Sequence, residues 1–78
     1  MYKLKCLEPV ASNMTEITTG KGTRILFSYQ TPVAGYDEKG AFRTNVWYSM
    51  TTTRHINKYL EGKDVGRVVE QEYINDLI

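Results

Sequence analysis

The stretch VAGYDEKGAFRTNVWY, residues 33–48, reads as two strands and the turn that joins them. In its second half Phe42, Thr44, Val46 and Tyr48 point one way and Arg43, Asn45 and Trp47 the other, the period of two that a strand imposes. Met50 extends the first set, which reads as the core face. Between the halves, Asp37-Glu38-Lys39-Gly40 suits a type I turn followed by a glycine in the left-handed region. A hairpin pairing residues 33–36 with residues 41–48 is therefore expected.

Toward the N-terminus the same alternation recurs. In TRILFSY, residues 23–29, the side chains of Ile25, Phe27 and Tyr29 oppose those of Arg24, Leu26 and Ser28. Pro32 has no amide hydrogen to give to a ladder, so it marks a bulge, an edge or a break between Tyr29 and Val33. MTEIT, residues 14–18, offers another short strand, and YKLKCL, residues 2–7, a first one with Tyr2, Leu4 and Cys6 on one side. TTGKGTR has the look of a phosphate loop, but Lys21 is followed by Gly22 rather than by serine or threonine. It reads as a turn.

Toward the C-terminus the period changes to that of a helix. In MTTTRHINKYLEG, residues 50–62, Thr52, Ile56, Tyr59 and Leu60 share one face while Arg54, Lys58 and Glu61 share another. Thr51 or Thr52 suits the N-cap, Gly62 suits a left-handed C-terminal residue, and Ile56 and Leu60 should be buried against the sheet. RVVEQ then reads as a last short strand, and QEYINDLI as a closing helix that packs Tyr73, Ile74, Leu77 and Ile78. The expected fold is α+β: one domain over residues 1–78, with a small antiparallel sheet of four to five strands packed with one or two short C-terminal helices.

Composition narrows the chemistry. One cysteine, Cys6, cannot form an internal disulfide, which fits a reducing, intracellular setting. One histidine and one cysteine are too few for a metal site, and no cofactor motif is visible. No apolar run approaches the roughly 20 residues that span a bilayer, and the first residues lack the apolar centre of a signal peptide. A soluble, unprocessed, cytoplasmic protein without a membrane role is expected. Ten Lys and Arg against nine Asp and Glu give a net charge of +1, weak for a dedicated nucleic-acid binder. The charges are unevenly placed: residues 1–60 hold eight basic and four acidic side chains, residues 61–78 two basic and five acidic.

Candidate functional residues follow from these patterns. His55 could act as a general base only with a nucleophile or an orienting carboxylate beside it, and the sequence names none. It reads as a helix histidine flanking the packed face or bonding a threonine, and no catalytic set can be assembled. Arg43 and Trp47, joined by Arg24, would form a basic and aromatic sheet face able to stack bases and hold phosphates. Arg54 and Lys58 would contact a phosphate backbone or a protein partner from the wet side of the helix.

The segments ILFSYQTPVAGY and WYSMTTTRHINKYL, together spanning about residues 23–61, resemble a group of small uncharacterised bacteriophage-encoded proteins. That resemblance implies an accessory protein in the cytoplasm of a host bacterium and carries no activity for any residue. The leading expectation is a non-enzymatic protein-interaction module for a host or phage protein. Six tyrosines and one tryptophan exceed what so small a core needs, and aromatics are favoured at interfaces. The alternative is a single-stranded nucleic-acid binder using the Arg43 and Trp47 face. A homodimer is also expected, formed through a strand edge beside Pro32 or at residues 2–7.

Overall fold

The computed structural model describes residues 4–11 and 13–78, with side chains from residue 13 onward. The expected Tyr2, Leu4 and Cys6 face lies outside the described side chains. Five strands follow one another as a meander, each antiparallel to the last: β1 Leu4–Ala11, β2 Met14–Thr19, β3 Arg24–Ser28, β4 Thr31–Asp37 and β5 Gly40–Thr44. Helix α1, Met50–Leu60, then crosses the sheet, and the short β6, Arg67–Val69, returns beside β5 in the parallel sense. Helix α2, Gln71–Asn75, closes the chain. The fold class is α+β, as the hydrophobic periods predict. Only β6 departs from antiparallel pairing, and α1 supplies the crossover that a parallel neighbour requires.

Both faces of this sheet are covered. Ile25 and Leu26 are adjacent on β3, so they point to opposite sides, yet both are 0% exposed. Leu26 packs with Met14, Val33, Ala34 and the α1 residues Ile56 and Leu60. Ile25 packs with Ile17, Phe42 and the α2 residue Ile74, with Leu77 and Ile78 beside them. The sheet is therefore a middle layer with one helix on each side. The expected burial of Ile56 and Leu60 holds, and Thr52 joins them on the inner face.

The hairpin at the centre is present, with Asp37 opposite Gly40 and Tyr36 opposite Ala41. Asp37 Oδ1 accepts a hydrogen bond from the Lys39 amide at 2.8 Å, and Gly40 takes φ +106°, a conformation that glycine adopts without strain. The second strand is shorter than its alternation suggests. β5 stops at Thr44, and residues 45–49 form a loop; Val46, Tyr48 and Met50, expected in the core, are exposed. The Asn45 amide turns to the Val69 carbonyl of β6 at 2.8 Å, and the Pro32 carbonyl on β4 accepts from Gln71 Nε2 at 2.7 Å.

Pro32 faces Phe27 across an irregularity in the β3–β4 register, a bulge, which is one of the three outcomes expected of it. It is not at an edge, because β4 lies between β3 and β5. The outer strands are β1 and β6, so of the two expected edges the one near the N-terminus is real.

The helix caps differ in detail from the sequence pattern. Ser49, not Thr51 or Thr52, is the N-cap, its Oγ accepting from the Thr52 amide at 3.1 Å. Glu61 rather than Gly62 takes the left-handed C-terminal position, at φ +62°. Four hydroxyl residues near the helix start, Ser49, Thr51, Thr52 and Thr53, leave the cap ambiguous until the chain's entry direction is known.

Candidate interaction surface

At one end of the sheet the chain passes from β5 into α1 through residues 45–49, and this segment is firmly rooted. The Asn45 amide donates to the Val69 carbonyl at 2.8 Å, which prolongs the β5–β6 ladder by one step. Thr44 Oγ1 donates to Gln71 Oε1 at 2.7 Å and accepts from the Val46 amide at 3.1 Å. At the far side Ser49 caps α1. A loop held at both ends in this way presents its side chains without much conformational freedom to lose on binding.

Those side chains are large and apolar. Trp47 is 71% exposed and Met50 64%, with Val46 and Tyr48 exposed beside them. Tyr29, in the β3–β4 turn at the same end, is 53% exposed and has a positive φ of 57°. Its ring meets His55 at 5.8 Å between centroids, and Arg54 reaches Met50 Sδ at 3.6 Å. An apolar patch with a polar rim of Arg54, His55 and, one turn further on, Lys58 results. Clusters of this kind on small proteins mark binding surfaces more often than isolated exposed apolar side chains do.

His55 has the hydroxyl partner that the sequence could not name. Its Nδ1 lies 2.7 Å from Ser28 Oγ, which is also 3.1 Å from Thr52 Oγ1, itself 3.2 Å from Ser49 Oγ. Ser28 is only 2% exposed, and no carboxylate joins the chain of hydroxyls among the bonds it makes. The arrangement ties β3 to the first turns of α1 and does not present a nucleophile to solvent. Among the described residues no group of three His, Cys, Asp or Glu side chains could hold a metal ion, and no helix is long and apolar enough to cross a membrane.

Burial, and secondarily the charge of Lys58, hold His55 below its ordinary pKa of 6.5. The folded state thus takes up a proton less readily than the unfolded chain does, so the stability present above pH 6.5 should decline as the pH falls below that value. Denaturant titrations at stepped pH should show this decline in the parent and a shallower one in His55→Gln. Parallel curves would exclude His55 as its source.

The six residues singled out in the sequence do not form one site. Trp47 lies in the loop that leads into α1, and Arg54 and His55 stand on the first turns of that helix, with Lys58 one turn further along its exposed face. Arg24 lies at the opposite end of the sheet, its guanidinium 4.8 Å from the centre of the Tyr36 ring. Arg43 is on the α1 side of β5 and is structural. Its Nε donates to the Val65 carbonyl, Nη1 to Asn57 Oδ1 and Nη2 to the Gly62 carbonyl, all within 3.1 Å, which clamps the α1–β6 connection to the sheet. The basic and aromatic sheet face expected from Arg43 and Trp47 is not assembled. Tyr29, Val46, Tyr48 and Met50 are the surface residues that the sequence reading placed elsewhere; the end of β5 at Thr44 leaves the last three exposed.

The matching family model covers residues 5–76 and describes a family of unknown function, DUF8033. The chain belongs to that family. It matches no curated protein and no solved structure. The family match runs from β1 into the turn after α2, so it takes in the whole sheet, both helices and the exposed loop between β5 and α1.

Proposed function

We propose that this protein is a non-enzymatic protein-interaction module whose contact surface is the loop of Val46, Trp47, Tyr48 and Met50 together with Tyr29. Arg54, His55 and Lys58 form its polar rim. The observation that carries this reading is the exposure of Trp47 at the tip of a loop anchored at both ends, since buried aromatic anchors dominate binding energy at protein interfaces. The resemblance to small bacteriophage-encoded proteins adds the setting: an accessory protein that engages a host or phage protein in the bacterial cytoplasm. Self-association through the outer edge of β1 belongs to the same reading.

Affinity purification with the parent and with Trp47→Ala tests the proposal, because Trp47 contributes to no core cluster and its loss should leave the fold intact. A single recurrent partner should be retained by the parent, and its affinity should fall by about 30-fold or more in the variant, the effect of losing a central aromatic anchor. Equal capture by a folded Trp47→Ala protein would overturn the reading. A single strand stacking on Trp47 is the competing function. Titration of the parent with an oligonucleotide would reveal it as a change in tryptophan fluorescence whose affinity falls steeply with salt.

A further inference from the structure

The hydroxyls behind His55 form a chain with a direction. Ser49 Oγ donates to Thr52 Oγ1 at 3.2 Å while accepting from the Thr52 amide, the bond that caps α1. Thr52 then has its own hydroxyl proton to give to Ser28 Oγ at 3.1 Å, and Ser28 gives its proton to His55 Nδ1 at 2.7 Å. Three protons serve three bonds, and each hydroxyl donates once and accepts once. In the opposite direction Ser49 Oγ would accept twice from Thr52, and its own proton would have no acceptor in the chain. Neutral His55 therefore keeps Nδ1 bare and carries its proton on Nε2. Ser28 and Thr52 are 2% and 6% exposed, so a hydroxyl left without its acceptor there is costly.

A proton on Nδ1 breaks this order. The ring becomes a donor at both nitrogens, so Ser28 must turn its proton to Thr52 and Thr52 must turn its own to Ser49. The amide and the hydroxyl of Thr52 then compete for the oxygen that caps α1. The surroundings give the new charge no relief. Tyr29 faces the ring from the β3–β4 turn, and α1 itself adds Arg54, Lys58 and Tyr59; the Tyr59 hydroxyl is committed to the Glu16 carboxylate of β2. Among the described residues no carboxylate pairs with His55, and the first turn of α1 holds no acid. A charged His55 would also repel Lys58, three residues on along the helix.

We propose that His55 is a proton-operated latch on the interaction surface. Neutral, it ends the hydroxyl chain that holds the α1 cap; protonated, it reverses the chain and loosens the cap together with the loop of residues 45–49. Binding through that loop is therefore strongest while His55 is neutral and weakens on acidification. That the loop is what a partner meets rests on the function proposed above, whereas the latch does not.

The test follows the imidazole nitrogen and backbone amide resonances of the isotopically labelled full chain as the pH is lowered until the ring has taken up its proton. At neutral pH Nε2 should carry the proton and Nδ1 none. On acidification the amides of Thr52 and of residues 45–49 should shift with the midpoint of the ring itself. The Thr52 amide, corrected for the intrinsic effect of pH, should then exchange about fivefold faster, the factor that one N-cap bond represents. These changes should be absent from His55→Gln, which separates them from carboxylate titration. In Ser28→Ala, which removes one small buried hydroxyl, the ring should still titrate but Thr52 and the loop should no longer follow it. A neutral ring with its proton on Nδ1 would overturn the latch. So would Thr52 and loop resonances that stay fixed while the ring titrates, that follow the pH unchanged in either variant, or that move only as the whole chain unfolds. Every readout is taken without a partner, so failure of the latch leaves the interaction surface standing, and failure of the Trp47→Ala test leaves the latch standing.

Discussion

Phe42→Ala should cost about 3–5 kcal/mol, the usual range for deleting a buried phenylalanine ring. Phe42 is fully buried among Ile17, Ile25 and Ile74, and its ring meets the edge of Tyr73 at 5.9 Å, so β5, β2, β3 and α2 all lose contacts together. A chain of 78 residues has a total stability of roughly 4–12 kcal/mol, so the variant should be marginal or unfolded at room temperature. Equilibrium denaturation measures the effect directly. A loss below about 1 kcal/mol would mean that the α2 side of the sheet is not packed as described. The same substitution should also disturb the interaction loop, because β5 carries the Thr44 hydroxyl that anchors it.

Gly35→Ala should be at least as severe, for a different reason. Gly35 lies opposite Phe42 across the β4–β5 ladder, and a methyl group there would stand 2.2 Å from the Arg24 carbonyl oxygen and 2.6 Å from Phe42 Cζ. The ring could turn aside, but the carbonyl belongs to the neighbouring strand and cannot retreat without breaking the ladder. The expected loss is about 3 kcal/mol or more, at the upper end of overpacking costs. Combining the two substitutions separates the contacts. In a Phe42→Ala background the ring clash is gone, so Gly35→Ala should cost less than it does alone, yet still destabilise through the Arg24 carbonyl. If thermal melting in a stabilising osmolyte, in which Phe42→Ala folds, shows the double variant to be as stable as Phe42→Ala alone, the backbone clash is not real.

Much of the architecture was legible because its causes are local. The Asp37 to Gly40 turn depends on an aspartate that bonds the amide two residues on and on a glycine free to take positive φ, both contained in four residues. The inner face of α1, with Thr52, Ile56 and Leu60, follows from a 3.6-residue period that any reader of the chain can count. Pro32 signalled its bulge for the same reason. Where β5 stops was harder to read, because the Asn45 amide is taken by the Val69 carbonyl, far along the chain.

The candidate surface was legible only in part. Trp47, Arg54 and His55 were singled out as chemically capable residues and lie at the same end of the sheet, whereas Arg24 was joined to Trp47 but lies at the opposite end, and Arg43 is held on the α1 side of β5. Alternation states which side chains share a side of a strand while that strand continues. It does not state where the strand stops or what covers that side.

By itself, then, the sequence determined the α+β class, the order of strands and helices, the central turn, the inner face of α1 and the absence of an internal disulfide. Each rests on interactions among residues a few positions apart, or on composition. The tertiary structure alone decided that both faces of the sheet are covered, that β6 runs parallel to β5, that Arg43 clamps the 61–66 connection, and that Val46, Trp47, Tyr48 and Met50 remain in solvent. These outcomes depend on groups 14 to 27 residues apart, such as Arg43 with Asn57, Ser28 with His55 and Thr44 with Gln71. Hydrogen bonds over such separations form only after the chain has closed the intervening loops, and no local pattern of side chains records which of them will be satisfied.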